Sequence, residues 1–555
     1  MGDSGIPSYQ YVDAPLFTGR PLRVVCMGAG YSGLMMGIIA RQKLIGDNLQ
    51  FQIYEKNADH GGTCFEPFPG WPNYYGTSAQ IHDYLGSVYR KYRMDEFCAF
   101  DHKILEAKWH EAAGKWHLLV ESGGRTFVDV CDIFINAGGV LDNWKWPDIS
   151  GIETFKGKLV HSADWDPKYD FTDKSVAVIG IGSSGIQILP HVARQAKTTT
   201  LFARSPTWIT PSVGISEPGQ DDPEVDEAMN YAQKELEKFQ KDPEYLRGHR
   251  VKLQDGRIQG FKLFMQGSEA QKEALAMFAE SMRQRLGNSE KGRRIAEQLI
   301  PKFPVGCRRL TPGQGFLEAL LEDNVSMEWK NLDRITERGI LTTDGRLIEC
   351  DAIVCATGFD NSFRPRFPTI GRDGTELAKK WEESPEAYFG ITVAQMPNYF
   401  MFIGPNSPIA NGSLVQAIQI TGIYIAKCIQ KIQRQFIKSM SVRQQAQDDF
   451  NEHCRTFLAD TVFSGNCSSW YKQGDIDGKV VAIYCGSSYH FIESLKEPRW
   501  EDYEFAYVGD VRPNRFAYLG NGITLGEAQG KSVGATQTLN FEEYWNLFNL
   551  PAING

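Results

Sequence analysis

The sequence predicts an α/β protein, and three observations carry that prediction. An apolar strand-like run enters a Gly-x-Gly-x-x-Gly turn and then an apolar helix-like run twice, around residue 28 and again around residue 180. Two further apolar runs, "CDIFINAGG" at 131–139 and "CDAIVCATGFD" at 350–360, end in small residues. A charged stretch over 221–300 repeats its apolar residues at helical spacing.

The first unit is "LRVVCMGAGYSGLMMGIIARQ", with Gly28, Gly30 and Gly33 at the turn. A second apolar run, "LQFQIYEKN", carries Glu55, 22 residues after Gly33. Each residue has a physical reason to be there. Gly28 permits the tight turn, Gly30 lets backbone approach a pyrophosphate, and Gly33 lets the helix pack on the strand. The phosphates of a dinucleotide then meet a helix N-terminus, and the acid binds ribose hydroxyls.

The second unit, "KSVAVIGIGSSGIQILPHVA", places Gly180, Gly182 and Gly185 in the same way. Its following run, "TTTLFARSPTW", offers Arg204 and Ser205 where the first unit has a carboxylate. An acid would repel a 2′-phosphate, whereas a guanidinium grips it. The first site therefore suits a ribose with free hydroxyls, and the second suits NADPH over NADH. Ser32 in the first unit, and Ser183, Ser184 and Gln187 in the second, open the helices and join these binding sets.

The runs at 131–139 and 350–360 are expected to return as strands beneath the two turns, with Gly358 allowing close backbone approach. The chain then reads as two Rossmann-like dinucleotide-binding domains for FAD and NADPH, the second inserted in the first. Residues 1–150 and 371–555 form the FAD domain, residues 151–220 and 301–370 the NADPH domain, and residues 221–300 a helical insertion.

Bulk properties narrow the classes. A net charge of −9 over 555 residues gives no footprint for nucleic acid or an anionic membrane. The start, "MGDSGIPSYQYVDAPLF", has neither the basic nor the apolar region of a secretory signal. The most apolar helical run, from Ser413, is broken by Gln416, Gln419 and Lys427, so it reads as a core helix rather than a membrane span. Eleven cysteines occur without a C-x-x-C pair, which predicts neither a disulfide framework nor a zinc site. A reduced, cytoplasmic enzyme without a metal is expected; oligomeric state is not legible.

The stretch "FKGKLVHSADWD" contains Phe155, Gly157, His161, Trp165 and Asp166. It resembles the FxGxxxHxxxW(P/D) signature of the Baeyer–Villiger monooxygenases, class B flavoproteins, and stands just before the second glycine unit as it does there. The resemblance extends over most of the chain, through "GGT" at 61–63, "GCRRLTPG" at 306–313, "ATGFD" at 356–360, "GPNSPIANGS" at 404–413 and "SSWYKQG" at 468–474. The wording of several of these, with the C-terminal "NRFAYLGNG", is similar to a filamentous-fungal branch active in natural-product pathways.

The resemblance implies an enzyme that uses FAD, NADPH and O₂ to convert a small-molecule ketone, cyclic or polyketide/terpenoid, into an ester or lactone through a C4a-peroxyflavin. It places the active-site arginine on Arg309 and a 2′-phosphate contact on Arg308. Gly62 and Thr63 join the flavin site, and Trp470 closes over the nicotinamide cofactor. It gives His161 a positional role at the hinge between domains. One segment departs from the pattern: Cys64 replaces the usual Trp after Thr63, and most of a segment bearing an acidic partner for the arginine is missing. Two alternatives stand beside this reading: a related flavin monooxygenase or oxidase acting on a heteroatom, aldehyde or aromatic polyketide, and a catalytically impaired homologue.

Overall fold

The structure is a computed structural model and describes residues 9–46, 48–61, 71–210, 230–509 and 513–530. Two parallel five-stranded sheets organise it. In the first, the strands run Tyr399–Met401, Ile133–Asn136, Leu22–Met27, Leu49–Tyr54, Cys98–Ala99 across the sheet. In the second, the order is Val325–Trp329, Thr198–Ala203, Ser175–Ile179, Ala352–Cys355, Lys158–His161.

The register explains why these runs are continuously apolar. Val24 pairs with Phe51 on one side and Ile133 on the other, and Val178 pairs with Leu201 and Val354. All six are buried, because a central parallel strand is covered on both faces. The chain lays down four strands of the first sheet, crosses at 137–150, builds the second sheet, and crosses back at 356–365. The strand Tyr399–Met401 then completes the first sheet. The architecture is thus two Rossmann-like units with the second inserted in the first.

An antiparallel layer, Lys103–His110, Lys115–Ser122 and Arg125–Cys131, covers one side of the first sheet. Its charge is matched to that sheet: Arg23 Nη2 lies 2.6 Å from Asp129 Oδ2, and the Tyr54 hydroxyl donates to the same oxygen at 2.9 Å. On the other side, the helix Leu414–Arg434 packs on the helix Tyr31–Ile39. A side chain on Gly422 would meet Ile39 Cδ1 at 2.6 Å, so glycine is what allows the two axes to approach. The run from Ser413 is therefore a core helix, with Ile418, Ile425, Ile429 and Ile432 buried. Among the described residues, no helix is long and apolar enough to cross a membrane.

Helices Gln233–Lys241, Pro243–Gln259, Glu269–Leu286 and Glu290–Leu299 follow the second glycine unit. Ala274, Phe278, Met282 and Leu286, four residues apart, form the buried stripe of the third. Ser268 and Ser289 cap two of these helices, accepting from the backbone N–H groups of Gln271 and Gly292. Gln271 is buried, donates to the carbonyls of Leu263 and Val305, and accepts from the Val305 N–H. This side chain fixes the entry to the Gly306–Gly313 loop.

One expectation is corrected. Cys307 and Cys467, 160 residues apart, form a disulfide with a Cα–Cα distance of 6.4 Å. No local spacing marks such a pair, because the fold alone brings the two cysteines together.

Candidate active site

The two glycine turns share their mechanics. Gly28 and Gly180 adopt φ of +103° and +108°, and a Cβ on either would lie within 2.7 Å of the carbonyl of Ala137 or Ala356. A Cβ on Gly33 would collide with the Gly28 carbonyl at 1.8 Å, and one on Gly185 with the Gly180 carbonyl at 2.0 Å. These are the close turn and the helix-on-strand contact that the spacing requires. Gly182 is different. Apart from its chain neighbours and its own helix, a Cβ there would meet no atom of the described residues within 4 Å, so this glycine leaves open room at the helix N-terminus. That is the shape a pyrophosphate needs.

Glu55 directly follows the strand Leu49–Tyr54 of the first sheet and is buried. Its Oε2 accepts from the Ala29 N–H at 2.9 Å, and its Oε1 from the Asn57 backbone and side chain. The carboxylate is thereby aimed back at the glycine turn, with acceptor capacity left on Oε2. Ser32 is buried in the first turn of the helix. Gly62, Thr63 and Cys64 lie outside the described residues, as does the rest of the segment in which the sequence departs from its relatives.

At the corresponding place in the second sheet stand Arg204 and Ser205. Arg308 Nη1 donates to Ser205 Oγ at 3.0 Å and to the Pro206 carbonyl at 3.1 Å. Burial holds the Arg308 guanidinium below its usual pKa, and the nearby Arg204 charge adds to the effect. Its Nε is buried with no hydrogen-bond partner among the described residues. Two like charges with an unfilled donor create a demand for an anion. Ser183 Oγ lies 2.8 Å from Thr311 Oγ1, and Gln187 donates to the Ser183 carbonyl at 2.8 Å, which joins the helix start to the arginine loop. Ser184 is half-buried in the same turn. These residues fit a phosphorylated dinucleotide, and those around Glu55 fit one with free ribose hydroxyls.

Arg309 points the other way. Its Nη1 donates to the Ile409 carbonyl at 2.9 Å, in the "GPNSPIANGS" segment. The buried Tyr471 phenol faces the same guanidinium: burial raises its pKa and the Arg309 charge opposes the shift. Consecutive arginines therefore serve opposite sides of one loop. Trp470 is half-buried, and its carbonyl accepts from Asn361 Nδ2 at 3.3 Å. The disulfide ties Cys307, at the head of the arginine loop, to the segment leading into Trp470.

The FxGxxxHxxxW stretch lies at the crossing. A Cβ on Gly157 would meet the Asp351 carbonyl at 2.4 Å and the Phe155 ring at 2.6 Å, so Gly157 makes room for buried Phe155. His161 is fully buried and stacks on Trp144, with ring centroids 4.4 Å apart and planes 12° apart. Its Nδ1 accepts from the Ala163 N–H at 3.1 Å, which assigns the proton to Nε2, facing Thr357. Trp144 itself bridges to Phe359, and the Asp360 N–H donates to the Asn143 carbonyl. The imidazole thus packs against both crossing segments. Asp166 accepts from Lys158 Nζ at 2.6 Å, while Trp165 is exposed beside Phe171.

Sequence patterns did not reveal the Ile409 carbonyl, Tyr471, Asn361 or the Trp144 stack. Each is a contact between segments far apart in the chain, and a carbonyl leaves no trace in residue identity.

Comparison with known proteins agrees with this fold. The family model described as flavin-binding monooxygenase-like matches residues 51–219. The FAD-binding monooxygenase tazF of Aspergillus terreus is 38% identical over 92% of this chain and 93% of its own length. A Baeyer–Villiger monooxygenase of Pseudomonas aeruginosa is 29% identical over 85% of this chain and 89% of its own. The fold matches that of cyclohexanone monooxygenase from a Rhodococcus species, solved bound to NADP⁺, with a TM-score of 0.74, 22% identity and coverage of 88% of this chain and all of that one. The chain belongs to the FAD-binding monooxygenases, and a Baeyer–Villiger monooxygenase is among the proteins it is similar to.

Proposed function

We propose that this protein is an FAD-, NADPH- and O₂-dependent Baeyer–Villiger monooxygenase that converts a ketone of natural-product type, cyclic or polyketide/terpenoid, into an ester or lactone. One observation carries the reading: a single loop sends Arg308 to the Arg204–Ser205 corner and Arg309 toward the other nucleotide fold. When bound, FAD supplies the hydride acceptor and the oxygen-activating chemistry.

In this reading, the chain's own residues take the following roles. Gly28, Gly30, Gly33 and Glu55 hold the FAD pyrophosphate and ribose, with Ser32 at the helix start. Gly180, Gly182, Ser183, Ser184, Gly185 and Gln187 form the turn for the NADPH pyrophosphate. Arg204, Ser205 and Arg308 bind its 2′-phosphate, where charge-assisted hydrogen bonds are strongest. Arg309 presents a fixed positive charge where negative charge develops on oxygen, a contribution of typically about 3–4 kcal/mol for one such donor. The Ile409 carbonyl and the Tyr471 phenol hold that guanidinium. Trp470 covers the nicotinamide side and excludes water. His161, with Phe155, Gly157, Trp165 and Asp166, sets the relation between the two folds and carries no proton in the reaction.

The test is product analysis: incubation with NADPH, labelled O₂ and a panel of cyclic and polyketide ketones, thioethers and amines. The expected product is an ester or lactone carrying one labelled oxygen. Oxidised sulfur or nitrogen centres with unreacted ketones would overturn the proposal.

A further inference from the structure

We propose that Asp59, His60 and His82 form a binding site for a divalent transition metal of the zinc type, beside the glycine turn of the first sheet. The three offer one ligand atom each, and these atoms lie within 4.8 Å of one another. His82 Nε2 is 3.1 Å from Asp59 Oδ2, and His60 Nδ1 is 3.4 Å from Asp59 Oδ1. A tetrahedral zinc with bonds of about 2.0–2.1 Å separates its ligands by about 3.3 Å, and each imidazole nitrogen lies near that spacing from one of the two Asp59 carboxylate oxygens. Two imidazoles and a carboxylate are the donors that suit zinc and its neighbours. Three protein ligands leave a fourth position for water.

A second observation points to a ligand independently. His60 is only 9% exposed, yet its Nδ1 has no hydrogen-bond partner among the described residues. Buried nitrogens are rarely left so, because the lost solvation is not recovered. The nitrogen faces Asp59, and the ring is held from behind. Tyr89 packs edge-on at 5.1 Å, and Gly86 leaves room, since a Cβ there would come within 3.2 Å of His60 Nε2. The Arg90 guanidinium approaches the same spot, at 3.3 Å from that Cβ position.

The scaffold is firm and open to solvent. His82 sits on the helix Ser78–Lys91, whose start is fixed by a reciprocal cap between Thr77 and Gln80. Asp59 and His82 are exposed, which gives the ion an entry path. The next residue after His60, Gly61, donates to the Ala29 carbonyl at 3.4 Å within the glycine turn that also holds Glu55. The ion would staple that helix to the turn. This role is structural and independent of turnover.

The test uses the full-length protein, stripped with a chelator and titrated with Co²⁺ or Zn²⁺ alone. The expected result is one equivalent bound, with visible Co²⁺ absorption bands that Zn²⁺ removes, and a raised melting temperature. His82→Gln, at an exposed position, should keep the fold and flavin content while weakening binding at least 100-fold. His110→Ala should change nothing, although it removes the stacked pair His110–His117, with centroids 3.8 Å apart. Sub-stoichiometric binding to the folded wild type, or equal affinity in His82→Gln, would overturn the proposal.

Discussion

A disulfide joins Cys307, the residue before Arg308, to Cys467, three residues before Trp470, and both are buried. The arginine loop and the tryptophan segment are therefore one covalent unit, although 160 residues separate the two sulfurs. A cross-link closing so long a loop contributes roughly 2–5 kcal/mol, largely by restricting the unfolded chain. The double variant Cys307→Ser, Cys467→Ser should melt several degrees lower than the oxidised protein. It should also show a higher KM for NADPH, since Trp470 and Arg308 lose their common anchor. Melting curves of the variant and of the wild type with and without a thiol reductant check this; coincident curves would contradict it.

The glycines separate fold from binding. Gly185→Ala forces a Cβ to 2.0 Å from the Gly180 carbonyl, so the turn cannot form and the protein should be recovered poorly. Gly182→Ala adds a methyl group that, among the described residues, meets nothing within 4 Å beyond its own neighbours and helix. That variant should fold, keep its flavin and melt within about 1 kcal/mol of wild type, yet bind NADPH at least tenfold more weakly. Circular dichroism, flavin content and NADPH titration read the three effects separately.

Arg204→Ala removes one of the two guanidiniums at the Ser205 corner. Hydrogen bonds to charged groups contribute about 1.5–3 kcal/mol, so the KM for NADPH should rise roughly tenfold to a hundredfold. The KM for NADH should stay nearly constant, because NADH has no 2′-phosphate. Equal effects on both would show that Arg204 reads some other part of the cofactor.

Burial lowers the pKa of His161, with the Asp164 charge opposing the shift. The unfolded imidazole titrates near 6.5, so below that pH the unfolded chain binds a proton that the folded one refuses. Stability should therefore be full above about pH 6.5 and fall as the pH drops toward the lower folded value. In His161→Phe the stack on Trp144 survives while the titration is gone. Denaturant midpoints between pH 5 and 8 should show a smaller acid slope in the variant, with flavin reduction slowed but not abolished if the residue acts by position.

What the sequence made legible was local. Gly28, Gly33, Gly180 and Gly185 could be read because strand, turn and helix are adjacent in the chain, and the backbone of one residue dictates the next. The positions of Glu55 and Arg204, each one residue past the second strand of its sheet, were legible from the same local spacing. Contacts between distant segments were not. The Ile409 carbonyl, the Trp144 stack and the Cys307–Cys467 bond exist only once two crossings bring remote loops together. The Asp59–His60–His82 cluster was hidden in the same way, since a turn and a helix supply its members and no motif spacing announces them.

Hydride transfer from NADPH to a flavin held by the same chain is the central claim, and anaerobic stopped-flow absorbance measures it directly. The purified protein should be yellow and should bleach with NADPH much faster than with equal NADH. Arg309→Ala should bleach at nearly the wild-type rate while forming no ester when O₂ is admitted. A colourless protein that cannot be reconstituted with FAD, or a yellow one that NADPH leaves oxidised, would contradict the account.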